Sequence, residues 1–450
     1  MQPFYVKDIV EATGGQLICG SENTQIEAVS TDSRALTDGT LFVPLKGERS
    51  DGHDYTSGAK IYISERDVAP VEGKCIVKVE STLKAFGAIA KLYKSKYPLP
   101  TVSVVGSVGK TTTRDMTAAV LSQKYNTLKT DKNFNNDIGV PIMVFRLGAE
   151  HEAAVLEMGM SSLGEIEYLA DIVRPDVVVM TNIGMSHIEK LGSQDNIFKA
   201  KMESVTYLDE TGIVIANADD KYLKNVHEYG NYKVIYYAVD NENADIRATD
   251  IEDFGLDGVG FTVCMGGEKT KIRLYVPGVH NVYNALAAIA AGSVYGVSAA
   301  DAAKGLEGAQ FTAMRMEVSE HSGVRIINDC YNSAPSSVKA ALAVLAGEKD
   351  RRRVAVLGDI LEMGDFAKAA HTEIGNNAKE TADVLVCVGD NGRYIAEGAK
   401  GHEKLYAFDS TDAACEEIRS IVKPGDTVLL KASRGMHFEK LFEKLTKERG

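Results

Sequence analysis

The chain has 450 residues, 44% hydrophobic and 25% charged, which suits a packed globular protein and excludes a disordered one. That length exceeds what one hydrophobic core usually holds and points to two to four domains. A net charge of -13 argues against a nucleic-acid binder, and the six scattered cysteines form no CxxC or zinc-spaced set.

The N-terminus, MQPFYVKDIVEATGG, carries internal charges and lacks the apolar stretch of a secretory signal. No run of about 18 apolar residues occurs. A soluble cytoplasmic protein with reduced thiols, not inserted in a membrane, is therefore expected. Residues 1–98 mix a short amphipathic helix (Val6 to Ala12), a strand-like LFVPL (Leu41 to Leu45) and a second helix near Leu83 to Tyr93. A Pro-bounded stretch, Lys96 to Pro100, reads as a linker.

Residues 99–309 open with TVSVV, Thr101 to Val105, a β-branched run that suits a buried parallel strand. Apolar runs at Ala153 to Glu157, Val177 to Thr181 and Ile213 to Ala216 alternate with helical patterns, which implies a parallel sheet covered on both faces. Between Ala244 and Val276, FTVCM and KIRLYV flank Gly266-Gly267 and predict a hairpin. NVYNALAAIAAGSVYG then predicts a helix stopped by Gly296. Residues 310–450 carry the strands RRVAVLGD, DVLVCVG and DTVLLK, separated by helical segments: a second, smaller doubly wound unit. The fold class expected is α/β.

The strongest motif is the loop Gly106-Ser107-Val108-Gly109-Lys110-Thr111-Thr112, between the strand and a helix predicted over Thr112 to Ser122. Glycines let backbone N–H groups close around phosphate oxygens, and the helix N-terminus favours the anion. Lys110 can reach the outer phosphates and the Thr111 hydroxyl can ligand Mg²⁺. The loop is not a strict Walker A, because Val104 stands where that pattern has its first glycine. The competing reading, a glycine-rich turn with a surface lysine, fits the strand–loop–helix context less well. Glu157 ends an apolar strand, where an open sheet binds ligands; it reads equally as a metal-holding carboxylate or a solvated strand end. His187 follows another strand, and a lone histidine there is more often structural or solvated. Lys201 looks like any solvated helix lysine.

This loop variant resembles that of the Mur ligases and folylpolyglutamate synthetases, and further motifs extend the resemblance across the chain. Thr31-Asp32-Ser33-Arg34 and Lys46 to His53 look like the UDP-binding domain of muramoyl tripeptide ligases. NFNNDIGVP (Asn133 to Pro141), EMGM (Glu157 to Met160), Asn182 to His187, Phe198 to Glu203 and PGVHNVYNALAA (Pro277 to Ala288) are similar to central-domain signatures of the Mur ligase family. DCYNSAP (Asp329 to Pro335), GDILEMG (Gly358 to Gly364) and HTEIG (His371 to Gly375) are like those of the family member that adds a dipeptide. Lys431 to Glu439 resembles the family's K-G-S-R run, with Ala432 replacing a glycine; Met314 likewise replaces glycine before Arg315, which leaves local backbone geometry open.

The resemblance implies three domains: a mixed α/β UDP-binding domain, a central parallel-sheet ATPase-like domain, and a Rossmann-like domain for the incoming group. It implies a monomeric ATP-dependent ligase joining D-alanyl-D-alanine to UDP-N-acetylmuramoyl-tripeptide through an acyl phosphate, with two Mg²⁺ ions and no nucleic acid. Lys110, Glu157, His187, Lys201 and Arg315 are the implied catalytic set. Gly106 to Thr112, Asn281, Asn284, Arg315 and Asp329 would bind ATP. Thr111, Glu157, His187 and a carbamylated Lys201 would hold metal. Ser33, Arg34, Lys46, Gly47, Asp51, His53, Asn135 and Asn136 would meet the UDP-sugar peptide; Tyr331, Asn332 and His371 would meet D-alanyl-D-alanine. Asn281 and Asn284 read otherwise as helix caps, and Asn135 and Asn136 as turn formers. The ligase that adds the third peptide residue is the nearest alternative, but its D-N-P-R motif is absent. Folylpolyglutamate synthetase fits the first region less well, and a non-catalytic ATP-binding switch fits the intact lysine, carboxylate and histidine set less well.

Overall fold

The computed structural model describes residues 4–447. The first sheet runs Gln16–Cys19, Cys75–Lys78, Ile61–Ser64, Thr40–Phe42, Ala28–Ser30, and only its first pair is antiparallel. The strand expected over LFVPL is shorter and ends at Phe42, because Pro44 brings no N–H to a ladder. Helices Val6–Thr13 and Thr82–Ser95 accompany this sheet, the second with Ser81 capping Lys84 N–H. Lys91 bonds Asp171 at 2.9 Å and so ties the second helix to the central region.

The central sheet has nine strands. In spatial order they are Glu268–Leu274, Val259–Met265, Ile246–Asp253, Lys233–Ala238, Ile213–Asn217, Val177–Met180, Thr101–Val105, Ala153–Glu157 and Thr127–Lys129. Pairing is parallel from Ile246–Asp253 to the Thr127–Lys129 edge and antiparallel through the hairpin. Every residue of Thr101–Val105, Ala153–Glu157 and Val177–Met180 is buried. That is the signature of strands covered on both faces, here by Lys110–Leu121 and His280–Val294 packed together on one and by Gly139–Val144 and Glu165–Val173 on the other.

The third sheet adds an antiparallel hairpin, Glu317–His321 with Val324–Asn328, to the parallel strands Asp426–Lys431, Arg352–Gly358, Val384–Val388 and Leu405–Phe408. Alternate residues serve opposite cores. Val354 and Val356 pack with Ile418 and Phe438, whereas Ala355 and Leu357 pack on the other face with Ile374 and Leu342. The loops that follow Val324–Asn328, Arg352–Gly358 and Asp426–Lys431 face the central sheet. All six cysteines are free thiols. Among the described residues no helix is long and apolar enough to cross a membrane.

Candidate active site

The phosphate loop follows directly from the strand Thr101–Val105. Two glycines are required for different reasons. A Cβ on Gly106 would fall 1.8 Å from Thr181 Oγ1, so the loop can pass only without a side chain. Gly109 has φ 85, a left-handed conformation, immediately before the helix Lys110–Leu121. The helix starts two residues earlier than expected. The loop is clamped from the neighbouring strand end: Val108 N–H donates to Asn182 Oδ1 at 3.0 Å, and Asn182 Nδ2 and Thr181 Oγ1 donate to Val108 O at 2.9 and 2.7 Å. Gly184 N–H donates to Ser107 Oγ at 2.8 Å. Lys110 folds over the loop with Nζ 2.8 Å from Gly106 O. Burial pushes its pKa down; Glu157 opposes this and Arg315 adds to it.

Glu157 is buried at the end of its strand, not solvated. Its two oxygens accept from Thr111 Oγ1 at 3.0 Å and Asn135 Nδ2 at 2.8 Å, and Arg114 lies 3.5 Å away. Asn135 therefore supports Glu157, while Asn136 Oδ1 caps the next helix through Gly139 N–H at 2.8 Å. Lys201 is also buried, on the helix Gln194–Met202. Burial, then the nearby Lys110 cation, push its pKa well down, and no carboxylate contributes in the other direction. His187 has φ 63 and pairs through Nδ1 with Glu362 of the third sheet's region. Burial lowers its pKa and Glu362 opposes the shift.

Lys110, Thr111, Asn135, Asn136, Glu157 and His187 face a cavity of about 790 Å³ whose opposite wall comes from the third sheet, whereas the buried Lys201 does not line it. Such a volume lies in the range of small-molecule sites, about 300–1,000 Å³. Lys110, Thr111, Glu157, His187, Asn281, Asn284, Arg315, Asp329, Tyr331 and Asn332 all line it. The Arg315 guanidinium lies 4.4 Å from the Tyr331 ring centre, and its Nε has no hydrogen-bond partner. Asp329 bonds the buried Lys431 ammonium at 2.7 Å and accepts from Met316 N–H at 3.2 Å. Asn284 accepts from Thr113 at 3.1 Å and donates to Asn281, so these asparagines knit the helix start to the phosphate-loop helix and are not simple caps. Met314 adopts φ 61, a conformation that favours glycine, ahead of Arg315.

Thr111 Oγ1 and Glu157 Oε2 are hard oxygen donors 3.0 Å apart, a fit to one Mg²⁺. No group of three His, Cys, Asp or Glu among the described residues could hold a metal. Magnesium commonly completes its shell from waters and substrate phosphates. His187 can offer a neutral nitrogen, but Lys201 offers no acceptor as an ammonium and would do so only as a carbamate.

One expectation requires correction. His371 does not reach the cavity: it is fully buried, its Nε2 accepts from Ile360 N–H at 2.9 Å, and its Nδ1 lies 2.6 Å from Ala367 O. Both ring nitrogens are spent on backbone, and the residue shapes the Ile360–Met363 loop that does line the cavity. The N-terminal candidates lie outside this cavity. Asp51 accepts from His53 and Arg66 and caps the turn Gly52–Gly58, with His53 buried against it at 2.7 Å. Arg34 is exposed and forked onto Asp32, Gly47 N–H closes a turn on Ser50 O, and Ser33 is half-buried. Lys46 is exposed.

The sequence reading missed a cluster beneath the site. Arg114, fully buried, donates to Asp115 Oδ1 at 2.7 Å, Lys132 O at 3.0 Å and Thr312 Oγ1 at 2.7 Å. Asp115 in turn accepts from Lys129 at 2.8 Å and from Thr312 N–H at 3.0 Å. A charged pair on a helix gives no sequence signal of burial.

Comparison with known proteins agrees with this geometry. Residues 104–292 match the family model described as the Mur ligase middle domain, and residues 314–434 match the Mur ligase, glutamate ligase domain. The UDP-N-acetylmuramoyl-tripeptide–D-alanyl-D-alanine ligase of Bacillus subtilis is 39% identical, over 98% of each chain. The chain belongs to the Mur ligase family. Two solved structures of Mur ligases share its architecture. MurF from Acinetobacter baumannii superposes with a TM-score of 0.93 at 32% identity, over 100% of each chain. MurF from Thermotoga maritima in complex with ADP gives 0.83 at 26% identity, over 94% of this chain and 97% of that one.

Proposed function

We propose that this Mur ligase joins D-alanyl-D-alanine to UDP-N-acetylmuramoyl-tripeptide at the expense of ATP, as a cytoplasmic monomer in peptidoglycan precursor synthesis. The observation that carries the reading is the single cavity in which Lys110, Thr111 and Glu157 on one wall face Arg315, Asp329 and Tyr331 on the other. A relative of that name, alike along nearly its whole length, supports the choice of substrates. Residues 1–98 are proposed to bind the UDP-sugar, 99–309 the nucleotide and 310–450 the incoming dipeptide.

The tripeptide's terminal carboxylate oxygen attacks the γ-phosphorus, the bond to ADP breaks, and an acyl phosphate forms. The dipeptide amine then attacks the acyl carbon, loses a proton, and expels phosphate as the amide forms. Lys110 and the loop N–H groups hold the outer phosphates, and Arg315 meets the charge on the transferred group. Asp329 accepts from the ribose, beside Asn281 and Asn284 at the adenine. Magnesium, held by Thr111 and Glu157 and by His187 with a carbamylated Lys201, would neutralise phosphate charge. Positioning does the rest.

Phosphate release tests the reading. It should require ATP, Mg²⁺, UDP-muramoyl tripeptide and D-alanyl-D-alanine together. Release that ignores either amide-forming substrate would refute it.

A further inference from the structure

Four cationic side chains line the cavity: Lys110, Arg315, Lys431 and Arg434. Three have work. Lys110 lies on the phosphate loop, Lys431 is buried against Asp329 at 2.7 Å, and Arg315 stands close enough to Lys110 to depress its pKa. Arg434 remains. Its guanidinium lies 6.0 Å from the Tyr331 ring centre, its side chain is 52% exposed, and its Nη1 donates to Met314 Sδ at 3.6 Å. Its carboxylate neighbour Glu439 is 3.4 Å away and is shared with His437 at 3.2 Å. Both contacts fall on Nη1, which leaves the Nε and Nη2 donors for an anion in the cleft.

The backbone that carries Arg434 is fixed. Ser433 N–H donates to Asp359 O at 3.1 Å, and Ser433 Oγ accepts from Leu361 N–H at 2.9 Å. A guanidinium on so rigid a turn matches a planar anion bidentately at low entropic cost. The helix Pro335–Ala346 begins on the same wall, with Ser336 and Ser337 in the cavity, and its dipole also favours a negative group there.

The dipeptide brings one such group. Its amine must face the acyl carbon, on the Arg315 side, and an extended dipeptide carries its carboxylate about 7 Å further on. We propose that Arg434 binds the C-terminal carboxylate of the incoming dipeptide and that Tyr331 spaces it from Arg315. This rests on the dipeptide-ligase reading above.

The test compares D-alanyl-D-alanine with its neutral C-terminal amide as acceptors for the wild type, Arg434→Met and Arg434→Lys, with thermal unfolding confirming that each variant folds. The wild type should prefer the carboxylate. Arg434→Met should raise the KM for D-alanyl-D-alanine on the order of 10–100-fold, leave that for the amide within about 2-fold, and so erase the preference. Arg434→Lys should recover part of it, and KM for ATP and UDP-tripeptide should hold. A preference that survives in Arg434→Met, or a rise for UDP-tripeptide or ATP equal to that for dipeptide, overturns the assignment. A wild type that ligates neither acceptor overturns the dipeptide reaction itself, a distinct result.

Discussion

At the scale of single residues, two lysines test the proposed chemistry. Lys110→Ala should lower the ligation rate at least about 10²–10³-fold while the protein stays folded, because the outer phosphates lose their nearest charge. Circular dichroism and phosphate release measure the two halves; a folded variant that ligates at near wild-type rate would remove the phosphate-loop assignment. Lys201 poses a sharper question. A buried ammonium with a neighbouring lysine and no carboxylate contribution is costly, whereas a carbamate there would be an oxygen donor. Lys201→Ala should be nearly inactive and partly rescued by a small carboxylic acid, and Lys201→Arg should stay inactive, since a guanidinium cannot bind metal. Full activity in Lys201→Arg would refute the carbamate. Glu157 was half legible: a charge that ends an apolar strand is conspicuous, but the residues alone read equally as a solvated strand end, and its burial came from the fold. Lys201 was not, because helix lysines are mostly solvated and nothing in its neighbours announces burial. His371 misled for the converse reason: a polar residue in a family motif suggests contact with substrate, while its ring is occupied by backbone.

At the scale of elements, the buried Arg114–Asp115 pair joins the helix Lys110–Leu121 to Thr312, in the segment between the helix Ala299–Glu307 and the strand Glu317–His321. Asp115→Asn leaves the buried guanidinium with only Glu157, 3.5 Å away, as a counter-charge and should cost about 3–5 kcal/mol in denaturant unfolding. Burial pushes the Asp115 carboxyl up, but Arg114 and Lys129 outweigh it and hold the pKa below its ordinary 3.8. A lowered folded pKa stabilises at pH above the unfolded value, and that contribution disappears as the pH falls through the folded one. The stability gap between wild type and Asp115→Asn should therefore be full at neutral pH and narrow below about pH 4. A gap under about 1 kcal/mol at pH 7 would mean that the cluster is dispensable. The parallel strands themselves were legible as apolar β-branched runs. The edge strands Glu317–His321 and Leu405–Phe408 were not, because none of their residues is buried and they carry no such run.

At the scale of the whole molecule, function depends on two sheets presenting their loops to one cavity. Glu362 fastens that arrangement, pairing with His187 while its carbonyl accepts from Glu189 N–H at 3.1 Å. The proposed division of labour predicts that Asn332→Ala, on the third-sheet wall, raises the KM for D-alanyl-D-alanine far more than that for UDP-tripeptide. Equal weakening of both would count against it. The three-part α/β organisation was readable because each part repeats its own strand and turn rhythm. Their facing geometry was not, since it depends on contacts between residues far apart in the chain, such as Arg114 with Thr312. The central claim is the identity of the incoming group, and one measurement addresses it most directly: ligation with ATP, Mg²⁺ and UDP-muramoyl tripeptide, offering D-alanyl-D-alanine, lysine or diaminopimelate in parallel. Product and phosphate should form with D-alanyl-D-alanine alone; formation with lysine or diaminopimelate, and none with the dipeptide, would contradict the account.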